Sequence, residues 1–242
     1  MPTDFNDMGR IFEKRKHKMF ARFDRMAKAF TRIGKDIAIA VKQGGPNPDN
    51  NPRLRMAIQN AKGVNMPKDR VESAIKRASS KEEKDFQEVV YEGYAPHGVP
   101  VMVECATDNP TRTVANIRLH FSKNGGNMGN SGSVGFLFER KGVFKFDPSK
   151  INLDEVELDL IDAGAEDIQR DEEEIVVYTK FTEFGAMQKF LESKNYTPKS
   201  SELQYIPTTT KELNEQQSDE VMECIAALEE DDDVQNVFHN LA

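Results

Sequence analysis

Up to residue 78 the apolar residues recur every three or four positions; from residue 89 onward they come in short, strand-like runs. The first pattern lines one side of a helix, and the second belongs to strands. The change falls across a charged run, KEEKD at 81–85, so neither a uniform bundle nor a uniform sheet fits. A helical unit followed by an α/β unit does, and 242 residues are enough for two or three small domains.

Residues 20–43 read as a helix with Phe23, Met26, Phe30, Ile33, Ile37, Ala40 and Val41 on one stripe. Arg22, Arg25, Lys28, Arg32, Lys35 and Lys42 fall on the other side, and Gly44, Gly45 and Pro46 stop it. Asn51 is positioned to cap a second helix whose first residue is Pro52. Its apolar side holds Leu54, Ala57, Ile58 and Ala61, with Arg53, Arg55 and Lys62 pointing elsewhere. Pro67 opens a third, with Val71, Ala74, Ile75 and Ala78 inward and Lys68, Arg70, Lys76 and Arg77 outward. Residues 1–19, basic and without an apolar face, read as a mobile arm.

Beyond the charged run, VVYEGY and VPVMVECA read as strands, and Asp108 or Asn109 caps a helix opened by Pro110. Val114, Ile117, Leu119 and Phe121 are its apolar residues. A glycine-rich stretch, GGNMGNSGSVGF at 125–136, leads into the expected strands SVGFLFER and GVFKFD. Residues 142–206 follow a β-α-β-β-α-β order, the ferredoxin-like pattern, with helices near 152–163 and 182–194. A helix near 218–229 and the strand VQNVFHN return to the sheet begun at residue 89. The expected fold is α+β in three domains. They are a basic three-helix domain (20–80), a middle α/β domain (86–141 plus 207–242) and an inserted ferredoxin-like domain (142–206).

Charge divides along the same line. Residues 1–80 carry a net +10 and the remainder −18. A basic end on an acidic body points to a polyanion partner, with basic side chains along the helices following a phosphate backbone. The candidates are Arg22, Arg25, Lys28, Arg32, Lys35, Arg53, Arg55, Lys68 and Arg70. No apolar run approaches the roughly 20 residues that span a bilayer, and MPTDFNDMGRIFEKRKHK lacks the core of a secretory signal. The reading is a cytoplasmic protein without a membrane partner.

Enzyme chemistry finds little support. His17, His97, His120 and His239 show no metal-ligand spacing, and neither GxSxG nor HExxH occurs. Cys105 and Cys224 stand far apart among apolar neighbours, as buried thiols do. Asp108 with Arg112 is either a small site or a helix cap, and EDIQRDEEE and EEDDD read as solvated turns. The glycine stretch lacks the lysine of a nucleotide-binding P-loop and precedes a strand instead of opening a helix. Part of it caps a helix at Gly125-Gly126. The surplus glycines let backbone N–H groups approach another backbone, so Gly126, Gly129, Gly132 and Ser133 read as a nucleic-acid contact. No cofactor and no metal are expected.

Two longer stretches, GGPNPDNNPRLRMAIQNAKGVNMPKDRVESAIKRA and YEGYAPHGVPVMVECATDNPTRTVANIRLHFSKNGGNMGNSGSVGFLF, resemble the YebC/PmpR family. That family includes the mitochondrial translational activator of cytochrome c oxidase subunit I. The resemblance runs from about residue 28 to the C-terminus. It implies the three-domain architecture and non-enzymatic control of gene expression. Some members are described as DNA-binding transcriptional regulators; others act on ribosomes and help translation through proline-rich stretches. On the match, Asn51–Arg55 and Asn65–Pro67 sit on the family's basic domain, and Gly125, Gly126, Gly129, Gly132 and Ser133 on its glycine loop. The family's GHSKW-like segment is replaced here by MGRIFEKRKHK, Ala95 stands for a glycine and Met128 for a leucine. The expectation is a monomer that binds rRNA on the ribosome, with promoter DNA as the alternative.

Overall fold

The computed structural model describes residues 26–80 and 85–242. The arm at 1–19, His17, Arg22, Phe23, Arg25 and most of KEEKD lie outside the described residues. Three helices come first: α1 (26–44), α2 (Pro52–Gly63) and α3 (Lys68–Ala78). Asn51 joins the first two. Its side chain accepts from the Leu54 N–H at 3.0 Å and donates to the carbonyls of Ala40 and Gly45 at 2.7 and 2.9 Å. One buried amide thus serves the start of α2 and the end of α1. Ile33, Ile37, Val41, Leu54, Ala61, Val71 and Ala74 pack between the helices.

The second unit is built on an antiparallel sheet in the order β3-β1-β2-β8. Its strands are β1 (Gln87–Ala95), β2 (Val99–Thr107), β3 (Asn127–Met128) and β8 (Val234–His239). Helices α4 (Pro110–Lys123) and α7 (Glu215–Glu229) cover it, over a core with Val101, Val103, Ile117, Phe121, Ile225 and Leu228. Asn109 caps α4, accepting from Arg112 N at 3.1 Å. Leu119, expected inward, is exposed, because it lies half a helical turn from Ile117 and Phe121. Cys105 and Cys224 are buried free thiols, pushed up to about 12 and about 11 chiefly by burial.

The third unit follows β-α-β-β-α-β: β4 (Phe138–Phe146), α5 (Leu153–Asp162), β5 (Ala165–Arg170), β6 (Ile175–Lys180), α6 (Phe184–Ser193) and β7 (Ser200–Pro207). Its sheet order, β5-β6-β4-β7 with every pairing antiparallel, is that of a ferredoxin-like fold. Phe144, Phe146, Leu160, Val177 and Met187 form its core. SVGFLFER and GVFKFD are not two strands. Residues 133–134 are a bend, Gly135–Leu137 form one turn of 3-10 helix, and β4 begins at Phe138, ahead of the expected start at 142. A small cluster of Met102, Val134 and Phe138, with Tyr205 and Phe238 against it, joins the two sheets.

Candidate nucleic-acid interface

The basic candidates separate by what holds them. Lys28 and Arg70 are exposed, and the Arg70 guanidinium lies 5.7 Å from the centre of the Phe30 ring, so Arg70 reaches from α3 to α1. Lys68, Lys76 and Arg77 are exposed on α3 as well. Asp69 and Glu72 interrupt this set, and Glu72 pairs with Lys68 at 3.4 Å. Arg32 turns toward a cleft between the three units.

Lys35 corrects the sequence reading. Its ammonium donates to the Ala106 carbonyl at 2.8 Å, the Asp232 carbonyl at 2.7 Å and Asp233 Oδ1 at 3.0 Å. An ammonium has three N–H donors, so none is left for a phosphate. Arg53 is held by Glu88 and by Gln43 Oε1 at 2.8 Å. Arg55 spans the carbonyls of Pro48 and Asp49, at 2.8 and 3.0 Å. Both arginines organise the helical unit and its contact with the rest of the chain.

The glycine loop holds an anion of its own. Glu92, 8% exposed in the middle of β1, accepts from the backbone N–H of Gly132 at 2.7 Å and of Val134 and Gly135 at 2.8 Å each. Burial pushes this carboxyl up, yet the three N–H groups together outweigh it and hold the group below its ordinary value. Three further N–H groups are also taken: Gly126 by the Phe121 carbonyl, Gly129 by the Glu92 carbonyl (2.8 Å each) and Ser133 by the Asn130 carbonyl at 3.1 Å. Ser133 Oγ is buried without a partner, and its carbonyl accepts from the Tyr94 hydroxyl at 3.2 Å. The backbone at Gly132, Val134 and Gly135 is therefore a clamp on a side chain of the same protein, while the N–H groups of Gly126, Gly129 and Ser133 are held by backbone carbonyls. What the loop does present is the Phe136 ring, 74% exposed.

Two residues that carry this arrangement escaped the sequence reading. Glu92 was legible only as a lone carboxylate inside an otherwise apolar strand. Asp233 lies in the acidic run EEDDD, read as a solvated turn, but is 6% exposed. Besides Lys35 it receives Arg112 at 2.6 Å, Thr113 at 2.8 Å and Thr107 at 3.1 Å. Burial opposes its charge, but Arg112, Thr113 and Lys35 lower the carboxyl to about 2. Arg112 also pairs with Asp108 at 2.9 Å, so this pair braces the fold. Among the described residues no group of three His, Cys, Asp or Glu is placed to hold a metal ion, and no helix is long and apolar enough to cross a membrane.

Comparison with known proteins agrees with the two parts of the chain. Residues 10–81 match the family model of the TACO1/YebC protein N-terminal domain, and residues 86–241 that of the TACO1/YebC second and third domain. A relative in Anaeromyxobacter dehalogenans, named a probable transcriptional regulatory protein, is 59% identical over 97% of this chain and 100% of its own. Relatives of the same name are 53% identical in Myxococcus xanthus (97% and 100%) and 56% identical in Cytophaga hutchinsonii (97% and 99%). Among solved structures, a conserved hypothetical protein from Aquifex aeolicus superimposes with a TM-score of 0.79 at 41% identity, covering 89% of this chain and 90% of its own.

Proposed function

The chain belongs to the TACO1/YebC family, and we propose that it is a non-enzymatic, nucleic-acid-binding regulator of gene expression that works on the ribosome. In this reading it contacts rRNA as a cytoplasmic monomer and helps synthesis through proline-rich stretches. The observation that carries it is the set of exposed basic side chains on α1 and α3, Lys28, Lys68, Arg70, Lys76 and Arg77. Lysines and arginines spread around helices suit the tracking of a phosphate backbone better than the reading of base edges. An acidic body is also easier to place on a large ribonucleoprotein than along duplex DNA. The exposed Phe136 ring adds a flat apolar surface on which a base can stack, a contact worth about 1–3 kcal/mol.

The test is sedimentation of the full chain with ribosomes at low and moderate salt. Replacing Lys28, Arg70 and Arg77 by Ala together should weaken co-sedimentation and flatten the log–log salt dependence by roughly 0.7 to 0.9 per lost phosphate contact. An unchanged slope means these side chains do not touch the nucleic acid. The names of the relatives favour a second reading, a DNA-binding transcriptional regulator. Salt-sensitive binding to a promoter fragment with no ribosome association would establish that reading in place of the first.

A further inference from the structure

A cleft of about 480 Å³ opens where the three units meet, walled by α1, α2, β1, β2, β4, β7 and β8. Some of its charged groups are already spent. Arg53 and Glu88 hold each other, Glu104 accepts from Asn236 at 3.1 Å and Glu202 from Gln204 at 3.1 Å. Arg32, Arg140 and Asp36 have no hydrogen-bond or ion-pair partner among the described residues. Arg32 and Asp36 stand about one helical turn apart on α1, line the same cleft and do not pair. Arg140 is held by ring contacts instead, 4.9 Å from the centre of Phe181 and 5.8 Å from that of Tyr205. A fourth group is a buried donor: Gln235 lines the cleft, is only 9% exposed, and its Nε2 meets no acceptor. The unmet groups are thus mostly donors, with one carboxyl beside them.

A ligand that meets them must offer several acceptors next to a short run of N–H donors. It should also be close to neutral. Burial, followed by Glu202, Glu88 and Glu104 against the opposing Arg53, pushes Asp36 up to about 7. Two guanidiniums then face Glu104, Glu202 and a half-charged Asp36, which is near balance. We propose that this cleft takes up an unstacked guanine base. Guanine carries two neighbouring acceptors, O6 and N7, beside two neighbouring donors, N1–H and the 2-amino group. Arg32 forks onto O6 and N7, and Asp36 accepts from N1–H and the amino group, so one turn of α1 reads two edges. Gln235 Nε2 donates to N3, the next acceptor around the ring. Ile33, Met56 and Leu203 supply apolar wall for the ring faces. Arg140 is left for the phosphate that adjoins the base in RNA. Adenine and cytosine offer one amino group each and uracil one N–H, so none gives Asp36 two neighbouring donor groups. Free guanosine and a guanine in single-stranded RNA present the same edges. The RNA source rests on the reading of the chain as an RNA-binding factor; the base site itself does not.

Calorimetric titration of the full chain with guanosine at pH 7 tests the proposal. The expected result is saturable one-site binding, with adenosine, cytidine and uridine not detectably bound. Inosine, without the 2-amino group, and 7-deazaguanosine, without N7, should each bind roughly tenfold more weakly. Asp36→Asn should abolish the preference for guanosine over inosine, and Arg32→Gln the preference over 7-deazaguanosine. A merely structural role for these side chains predicts neither change. Glu172→Gln, at an exposed site away from the cleft, should keep both preferences. Melting curves of the variants show whether each is folded. Oligouridylate with one central guanosine identifies the source. Tighter binding than oligouridylate alone, weakened by Arg140→Gln while guanosine binding is not, assigns the site to RNA. Equal binding of the two oligonucleotides assigns it to the free nucleoside. Sedimentation with ribosomes is scored separately, so guanosine binding without it removes the ribosome and leaves the base site. Absence of guanosine binding, equal binding of adenosine, or unchanged preferences in both folded variants would each overturn the proposal.

Discussion

At the scale of single residues, three carboxyls contribute to the pH response in opposite senses. Glu92 and Asp233 both titrate below their ordinary values in the folded chain. Each therefore stabilises the fold above the unfolded carboxyl range and loses that contribution as pH falls through its depressed value. For Asp233, held at about 2 and 6% exposed, the contribution is on the order of 2 kcal/mol. Asp36 runs the other way. Its raised value, about 7, means the folded chain favours the proton, so stability is fullest below pH ~4 and falls as pH rises to about 7. Asp36→Asn should accordingly leave the melting temperature unchanged at pH 4 and raise it at pH 8. Glu92→Gln should destabilise by about 1–3 kcal/mol at pH 7, because one amide oxygen cannot replace the two carboxylate oxygens that serve three N–H donors. Thermal melts of both variants at pH 4 and pH 8 separate the two behaviours. A fall in stability for Asp36→Asn at pH 8 would mean that its charge is compensated in the fold.

At the scale of elements, local rules held where a signal was local. Asn51-Pro52 and Asn109-Pro110 announced their helices, and the β-α-β-β-α-β order was visible because α5 and α6 alternate with short apolar strands. The conformation of the glycine loop was not legible in the sequence, because it depends on Glu92, about 40 residues earlier, whose partners no local pattern reveals. The two-residue β3 was invisible for the same reason: it exists only by pairing with Gly93 and Tyr94 of β1. This gives the loop a different prediction from that of a nucleic-acid contact. A Cβ at Gly126 would stand 2.6 Å from the Tyr94 carbonyl, and Gly132 has φ +84°. Gly126→Ala should cost about 1–3 kcal/mol through overpacking, and Gly132→Ala about 1 kcal/mol through backbone strain alone. Neither should change the salt dependence of ribosome association. A folded Gly132→Ala variant with a flatter salt slope would put the loop backbone, and not only the Phe136 ring, at the interface.

At the scale of the whole molecule, the arrangement of the units depends on a few polar links that composition hides. The charge asymmetry was read as a separation, yet Lys35 reaches from the basic helices into the acidic body and is spent there. Asp233 receives it on one oxygen while Arg112, Thr107 and Thr113 occupy the other, so one carboxylate serves two tasks. The Oδ1 contact docks α1; the Oδ2 contacts brace the start of α4 against β2 and the turn before β8. These tasks can be separated. Lys35→Met keeps the stem of the side chain but removes the docking bonds, and Asp233 retains its Oδ2 partners. It should loosen the helical unit, increasing proteolysis near residues 81–85, with little change in amide exchange on β2 and β8. Asp233→Asn disturbs both oxygens, so exchange should rise on α4, β2 and β8 as well. If Lys35→Met raises exchange throughout the middle sheet, α1 is part of that unit's stability and the helical unit is not separable. If neither variant alters cleavage near 81–85, Asn60 bonding with Ser201, at 2.9 and 3.0 Å, is sufficient to hold the helices in place.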